Sequence, residues 1–379
     1  MFIIIGADTV PTDSNIKSFI DGNITEIIGN ELENILSEAS YRILNLEVPL
    51  TNQGKPIIKQ GPNLIAPTDA INGYKKLGVD LLTLANNHIY DQGLGGLEST
   101  IKTLDENDID YTGVGSDCET SARPFVFDFA KKKIGVYACT EHEFSVATKD
   151  SPGANPFDPL RSFCHVKKLK ERTDCVIVLY HGGKEHYRYP SPNLQQTCRC
   201  FVENGADFVI RQHSHCIGCE EKYIDGTIIY GQGNFVFDEG EEECWRTSLL
   251  VKIDENLDVS YIPLVKHDNG VRTVHGAEAN IILDAFEQRS LEIKKQGFVQ
   301  KKYDELAVKT VDNYLKAITG RKTFIQRVLN KLSNGKYFDM LLNRRFKQKE
   351  IIRIINYLEC EAHRELLIDG LRIKGEMAK

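Results

Sequence analysis

No stretch of this sequence approaches the roughly 20 consecutive apolar residues that span a bilayer, so no transmembrane segment is expected. The first apolar run, Met1-Phe2-Ile3-Ile4-Ile5, is too short for the core of a signal peptide and follows no basic segment. The expected compartment is therefore the cytosol. Positive charge is also in deficit. A formal net charge of −7 argues against a general nucleic-acid surface, and no nucleic-acid partner is expected. Internal repeats and low-complexity tracts are absent, which removes the repeat architectures. A second cysteine pair at zinc-finger spacing is missing too. The pair in Cys216-Ile217-Gly218-Cys219 therefore reads as structural thiols, as do Cys198 and Cys200. The ten cysteines, scattered from Cys118 to Cys360, are expected to be reduced and largely buried. Cys216 directly follows His215, which puts it beside a site without making it a ligand.

What is present is an ordinary globular composition, 41% hydrophobic and 27% charged, long enough for one large domain and a smaller addition. The most informative stretch is Leu82-Thr83-Leu84-Ala85-Asn86-Asn87-His88-Ile89-Tyr90-Asp91-Gln92-Gly93. It begins as a buried strand and ends in two amides, an imidazole and a carboxylate. Open α/β sheets place their chemistry at such carboxyl ends. The same pattern recurs. An apolar strand over residues 2–7 ends at Asp8. A second, over 41–48, carries Asn45 and Glu47, which alternation puts on one side. Others end in His181-Gly182-Gly183-Lys184-Glu185 and in Arg211-Gln212-His213-Ser214-His215. Helical periodicity is expected near 25–39, 93–107, 158–171 and 194–204. Hairpins are expected over 124–139, 223–230 and 248–263. After Gly270 the texture changes to Lys, Arg, Glu, Leu and Ile. A helical region is expected from 277 to about 372, broken near Gly297, Gly320 and Gly335, with Arg321-Lys322 and Arg344-Arg345 on a solvated face.

Collected together, the strand-end groups are typical ligands for borderline metals such as Mn²⁺, Fe and Zn²⁺. His213 and His215, two apart, could chelate one ion or divide between two. Asp8 and Glu47 could neutralise the charge, and Asn87 offers a neutral oxygen. His88 has a second candidate role, protonating a leaving oxygen from beside the metals, with Asp91 orienting its ring. Lys184, Arg211 and Lys59 are candidates to stabilise negative charge on a substrate.

These motifs resemble the CapA family of poly-γ-glutamate capsule proteins, within the calcineurin-like metallophosphoesterase superfamily. The resemblance rests on Asn45-Leu46-Glu47-Val48-Pro49-Leu50, on residues 84–93 and 181–185, on Gly205 through His215, and on Gly233-Asn234-Phe235-Val236-Phe237-Asp238, in the family's order. It covers residues 1–265 as one domain and leaves 277–379 as a separate helical region. It implies an α/β, four-layer αββα sandwich with a two-metal site. Carried over, it makes Asp8, Glu47, Asn87, His181, His213 and His215 metal ligands, with Glu47 bridging. It makes His88 catalytic; beside it, Asp91 is expected in a catalytic role, and Asn234 with Lys59, Lys184 and Arg211 is expected at the substrate. The cofactor implied is two divalent ions, Mn²⁺ or Fe/Zn²⁺. The partner implied is an anionic small molecule or polymer. There are departures. The superfamily's first motif is Asp-x-His, but Asp8-Thr9-Val10 lacks the histidine, and Glu47 stands for the usual bridging Asp. Glu185 or Asp91 could substitute. The expected activity is a metal-dependent hydrolase acting on a phosphoester or an anionic polymer of capsule synthesis. The alternatives are a catalytically degenerate metal-binding scaffold for capsule or poly-γ-glutamate assembly, and a mononuclear zinc amidase.

Overall fold

The computed structural model describes residues 1–237, 242–318, 324–359, 363–364, 367–368, 371 and 375. In chain order the first elements are β1 (Phe2–Thr9), α1 (Ile16–Ile20), α2 (Ile24–Glu38), β2 (Tyr41–Leu46), α3 (Ile71–Lys76), β3 (Leu81–Thr83), α4 (Gly93–Asp105) and β4 (Asp110–Thr112). Next come β5 (Val114–Gly115), β6 (Phe125–Phe129), β7 (Lys132–Thr140), β8 (Gly153–Ala154), α5 (Ser162–Lys170), β9 (Cys175–His181), α6 (Pro192–Glu203) and β10 (Phe208–Gln212). Then follow β11 (Glu220–Tyr223), β12 (Gly226–Ile229), β13 (Asn234–Val236), β14 (Thr247–Asp254), β15 (Val259–His267) and β16 (Gly270–Thr273). The chain continues as helices α7 (Gly276–Glu292), α8 (Phe298–Ile318), α9 (Phe324–Leu332), α10 (Lys336–Arg345) and α11 (Gln348–Glu359).

Two sheets form. One has the order β16-β15-β14-β1-β2-β3-β4, with β13 also on β1. The other runs β11-β12-β10-β9-β7-β6. The site-bearing strands β1, β2 and β3 are mutually parallel, as are β9 and β10. Both faces of these strands are buried, which is why they read as unbroken apolar runs rather than alternating ones. Alternation still decides which layer each side chain joins. In β1, Ile3 and Ile5 meet Ile177, Leu179 and Ile210 of the second sheet, while Ile4 packs with Ile27, Leu32 and Tyr74 of the helices outside. In β9, Ile177 and Leu179 face the first sheet, while Val176, Val178 and Tyr180 pack with Val166 and Phe201 of α5 and α6. The result is a four-layer αββα sandwich with added C-terminal helices.

Two details differ from the sequence reading. Gly29, at φ 75°, kinks the expected helix α2. A third antiparallel strand, β16, extends the hairpin of β14 and β15 beyond Pro263. Chain contacts define two compact units, Met1–Lys301 and Lys302–Lys379. The sequence reading put the change of domain between 265 and 277. In the structure α7 packs in the first unit, where Ile282 and Phe286 join Ile217, Leu249 and Tyr261. Gly297 and Gly335, both left-handed, separate helices as expected. Gly320, Arg321, Lys322, Cys360 and the end of the helical region near 372 fall outside the described residues. Arg344 and Arg345 are exposed. Among the described residues no helix is long and apolar enough to cross a membrane.

Candidate metal centre

The carboxyl ends of β1, β2, β3, β9 and β10 deliver the titratable groups. Asp8 sits in register with Asn45 on one side and with Asn234 on the other. His181 ends β9 opposite Gln212. Ligand atoms of Glu47, His181 and His213 lie within 4.8 Å of one another, and so do those of Asp8, Glu47 and His215. All five residues are buried. Glu47 belongs to both groups. Asn87 joins the first group, its Oδ1 lying 2.9 Å from His181 Nε2.

Glu47 carries the clearest signature. Both its carboxylate oxygens are buried without a hydrogen bond. His181 Nε2 comes within 3.1 Å of Oε1. That nitrogen is closer to Asn87, however, and bears a single proton when neutral. A buried carboxylate left this way is costly unless something cationic sits against it. His213 Nδ1 and Asn234 Nδ2 are likewise buried without partners. The donor set of carboxylates, imidazoles and an amide oxygen therefore fits two divalent ions sharing Glu47.

The two histidines from one motif divide between the groups. The period-two argument for a strand does not apply here, because β10 ends at Gln212. His213 and His215 both adopt left-handed backbone, at φ 83° and 51°. Such conformations cost about 1–3 kcal/mol each outside glycine and persist where the surroundings fix them. Here the His213 amide donates to Asp8 Oδ2 at 3.2 Å. His215 Nδ1 lies 2.8 Å from Asn234 Oδ1, and its ring stacks on Trp245 at 4.6 Å between centroids. Glu185 approaches from outside, with Oε1 3.8 Å from His213 Nε2. It forms a further possible ligand group with His213 and His215.

Electrostatics follow from this crowding. Burial pushes the Asp8 carboxyl up, but the hydrogen bond with His215, the charges of His181 and His215 and the Asn45 amide together hold it below the usual carboxylate range. Burial drives His213 well below the ordinary histidine value, helped by His181, His215, Arg211 and His88. It is therefore neutral, with a lone pair available. Burial also pushes His215 down, yet hydrogen bonding to Asp8 and the charges of Glu47 and Asp8 raise it to about 9. Its folded value lies above its ordinary one. The pairing thus stabilises the metal-free protein below about pH 6.5 and fades as pH rises through about 9. A metal must displace that proton. Calorimetric Mn²⁺ titrations at pH 7 in buffers of different ionisation enthalpy should show about one proton released per ion in the Asp8 group. The affinity should climb with pH up to about 9, and release of no proton would contradict the assignment of His215 as a ligand.

His88 and Asp91 stand beside these groups and belong to neither. His88 Nδ1 lies 2.7 Å from Asp91 Oδ2, which also accepts the Leu64 amide at 2.6 Å. Asp91 Oδ1 is ion-paired with Lys59.

Three expected substrate contacts are revised. Arg211 is fully buried, and its guanidinium donates to the carbonyls of Gly182, Tyr230 and Lys184. Strand periodicity in β10 turns it into the protein rather than toward a substrate. Gly183 makes room for it, since a Cβ there would come 2.6 Å from Arg211 Nη2. The Lys59 ammonium is committed to Asp91, with Nζ 3.2 Å from His88 Nδ1. Asn234 lies within the ligand cluster against His215. Lys184 is exposed in the loop after β9.

Several residues were given no role of their own from sequence, although Asn45 was among the strand-end groups. Asn45 donates to Asp8 Oδ1 at 2.8 Å, and its Oδ1 accepts from Asn86 at 3.1 Å, so it ties three strand ends together. Asn86 Oδ1 accepts the amides of His88 and Ile89 and shapes that turn. Strand alternation with Glu47 was the available signal for Asn45. Nothing local pointed to Trp245.

Comparison with known proteins places this geometry. The family described as bacterial capsule synthesis protein PGA_cap matches residues 8–239, an interval that holds every candidate ligand. The capsule biosynthesis protein CapA of Bacillus anthracis is 25% identical over 308 residues, 78% of this chain and 74% of that protein. The PGA biosynthesis protein CapA of Bacillus subtilis is 30% identical over 236 residues, 58% of this chain and 59% of that protein. Among solved structures, a phosphatase from Mycoplasma pneumoniae aligns with a TM-score of 0.43 and 17% identity, over 71% of this chain and 94% of that one.

Proposed function

Because the chain belongs to the bacterial capsule synthesis protein PGA_cap family, we propose that it is a metal-dependent hydrolase acting on a phosphoester or an anionic polymer in capsule or poly-γ-glutamate synthesis. The observation that carries the reading is Glu47, a buried carboxylate with both oxygens unbonded and shared by two ligand groups. Asp8, Glu47 and His215 would hold one divalent ion, and Glu47, Asn87, His181 and His213 the other. Ions bound there supply an activated water and electrostatic stabilisation of charge developing on the substrate.

The rest of the chemistry belongs to the chain. Asp91, held by the Leu64 amide and Lys59, fixes the His88 ring through Nδ1. Nε2 is then the nitrogen left to give a proton to the leaving oxygen. Asp91 gives the imidazolium that must precede that transfer a counter-charge, and Lys59 holds the other oxygen of Asp91. Trp245 and Phe237 wall the His215 side and limit water there. Lys184, exposed in the loop after β9, is a cation available to an anionic substrate. Free cysteines throughout the described residues, most of them buried, support a reducing compartment.

A catalytically degenerate scaffold remains the second reading. It is favoured by Val10, a buried apolar residue where the superfamily motif has a histidine, which leaves the Asp8 group with three ligands. One experiment separates them: metal analysis of protein purified without chelator, paired with hydrolysis of a generic aryl phosphodiester under Mn²⁺. Close to two ions with Mn²⁺-dependent turnover is the expected result. One ion or none, and no turnover, would favour the scaffold.

A further inference from the structure

The chain divides its charge as sharply as its fold. Residues 1–301 carry 30 Lys and Arg against 44 Asp and Glu, a formal charge of −14. Residues 302–379 carry 17 against 10, a formal charge of +7. The basic unit also carries apolar side chains that are unburied and clustered on its helices. On α11, Ile351, Ile352, Ile355 and Leu358 are all exposed, Ile352 by 58% and Leu358 by 52%. Ile351, Ile355 and Leu358 recur at helical spacing and form one stripe. On α9, Val328, Leu329 and Leu332 are exposed, Leu332 by 78%. Among the described residues of this unit, Phe338 and Leu342 of α10 are the buried apolar ones. Five basic residues, Arg344, Arg345, Lys347, Lys349 and Arg353, lie within ten positions around the start of α11, against Glu350 alone.

We propose that the C-terminal unit docks the protein on an anionic lipid surface, with the apolar stripes of α9 and α11 in the headgroup boundary and the surrounding lysines and arginines on the acidic headgroups. Two features must be satisfied together, apolar stripes several residues long and a positive charge around them. A basic amphipathic helix lying in the plane of a bilayer meets both. A polyanion such as nucleic acid or an acidic polymer would meet the charge and leave the isoleucines in water. A second copy of the same unit would cover the isoleucines but oppose +7 to +7. None of these helices has the length and composition to span the bilayer, so the association is interfacial. The inference is independent of whether the metal centre turns over.

The test is co-sedimentation of the full chain with vesicles of phosphatidylcholine containing about 30% phosphatidylglycerol, against vesicles of phosphatidylcholine alone. The expected result is at least about tenfold stronger partitioning to the anionic vesicles, lost in 0.5 M salt. Arg344→Glu with Arg345→Glu and Arg353→Glu should lower binding at least about tenfold. Ile352→Asn with Ile355→Asn should lower it comparably, and because both side chains are already in water, circular dichroism should not change. The proposal is overturned if the two vesicle types bind alike or not at all. It is also overturned if polyglutamate binds and the isoleucine variant retains that binding, since an acidic polymer would then be the partner. Self-association abolished by Ile355→Asn, without vesicle binding, would assign the face to a second copy and overturn it as well.

Discussion

Alanine at His88 should lower kcat on an aryl phosphodiester by about 10²–10⁴-fold while leaving bound metal nearly unchanged. The reason is positional. His88 lies outside both groups of candidate ligands, so its removal takes no donor from an ion. Its Nδ1 is held 2.7 Å from Asp91, whose other contacts are the Leu64 amide and Lys59, a network that organises one imidazole and nothing else. Asp91→Asn, with an amide in place of the anion, should lose a large part of the same factor, because the imidazolium loses its counter-charge and the tautomer is no longer fixed. Elemental analysis alongside kcat decides the matter. If metal content falls in step with activity in His88→Ala, His88 is a ligand and its role as proton donor is wrong.

Glu47→Gln is expected to act in opposite directions on metal binding and on metal-free stability. Glutamine keeps the shape and removes the charge. Without the shared carboxylate the two ligand groups lose their common anion, so occupancy should fall from two ions to one or none, and turnover with it. In the metal-free protein the wild-type carboxylate is buried with neither oxygen hydrogen-bonded, which costs folding free energy. Relief of that burden should stabilise metal-free Glu47→Gln by about 1–3 kcal/mol, readable as a higher denaturation midpoint in the presence of chelator. A metal-free variant less stable than its parent would mean that His181, 3.1 Å away, or the protonated His215 already compensates Glu47. The bridging role would then lose its main support.

Much of this architecture was legible along the chain because it follows from local rules. Unbroken apolar runs such as Cys175-Val176-Ile177-Val178-Leu179-Tyr180 signal strands buried on both faces, and β9 is one. Polar groups clustered at the ends of such runs mark the candidate site, where Asp8, Glu47, His181, His213 and His215 converge with Asn87 against His181. Alternation put Asn45 and Glu47 on one side, and both are buried in the centre. What alternation could not give was the path beyond the strand ends. His213 and His215 lie past β10 on left-handed backbone, so their division between two groups depends on Asp8 and Asn234, which arrive from other strands.

The sequence by itself determined the buried strands, the polar groups at their ends and the residue types able to hold a metal, because burial, periodicity and donor chemistry are properties of neighbours in the chain. The four-layer arrangement was read only from the family resemblance. Tertiary structure alone decided which cations are engaged within the fold and which are left to solvent. A basic side chain's function depends on what it meets in space. Arg211 meets three carbonyls, Lys59 meets Asp91, and Lys184 meets solvent. It also decided that α7 belongs with the sheets, since Ile282 and Phe286 find a cover against Leu249 and Tyr261 that no local pattern announces. The apolar residues of α9 and α11 stay exposed, with no described residue of their own unit burying them.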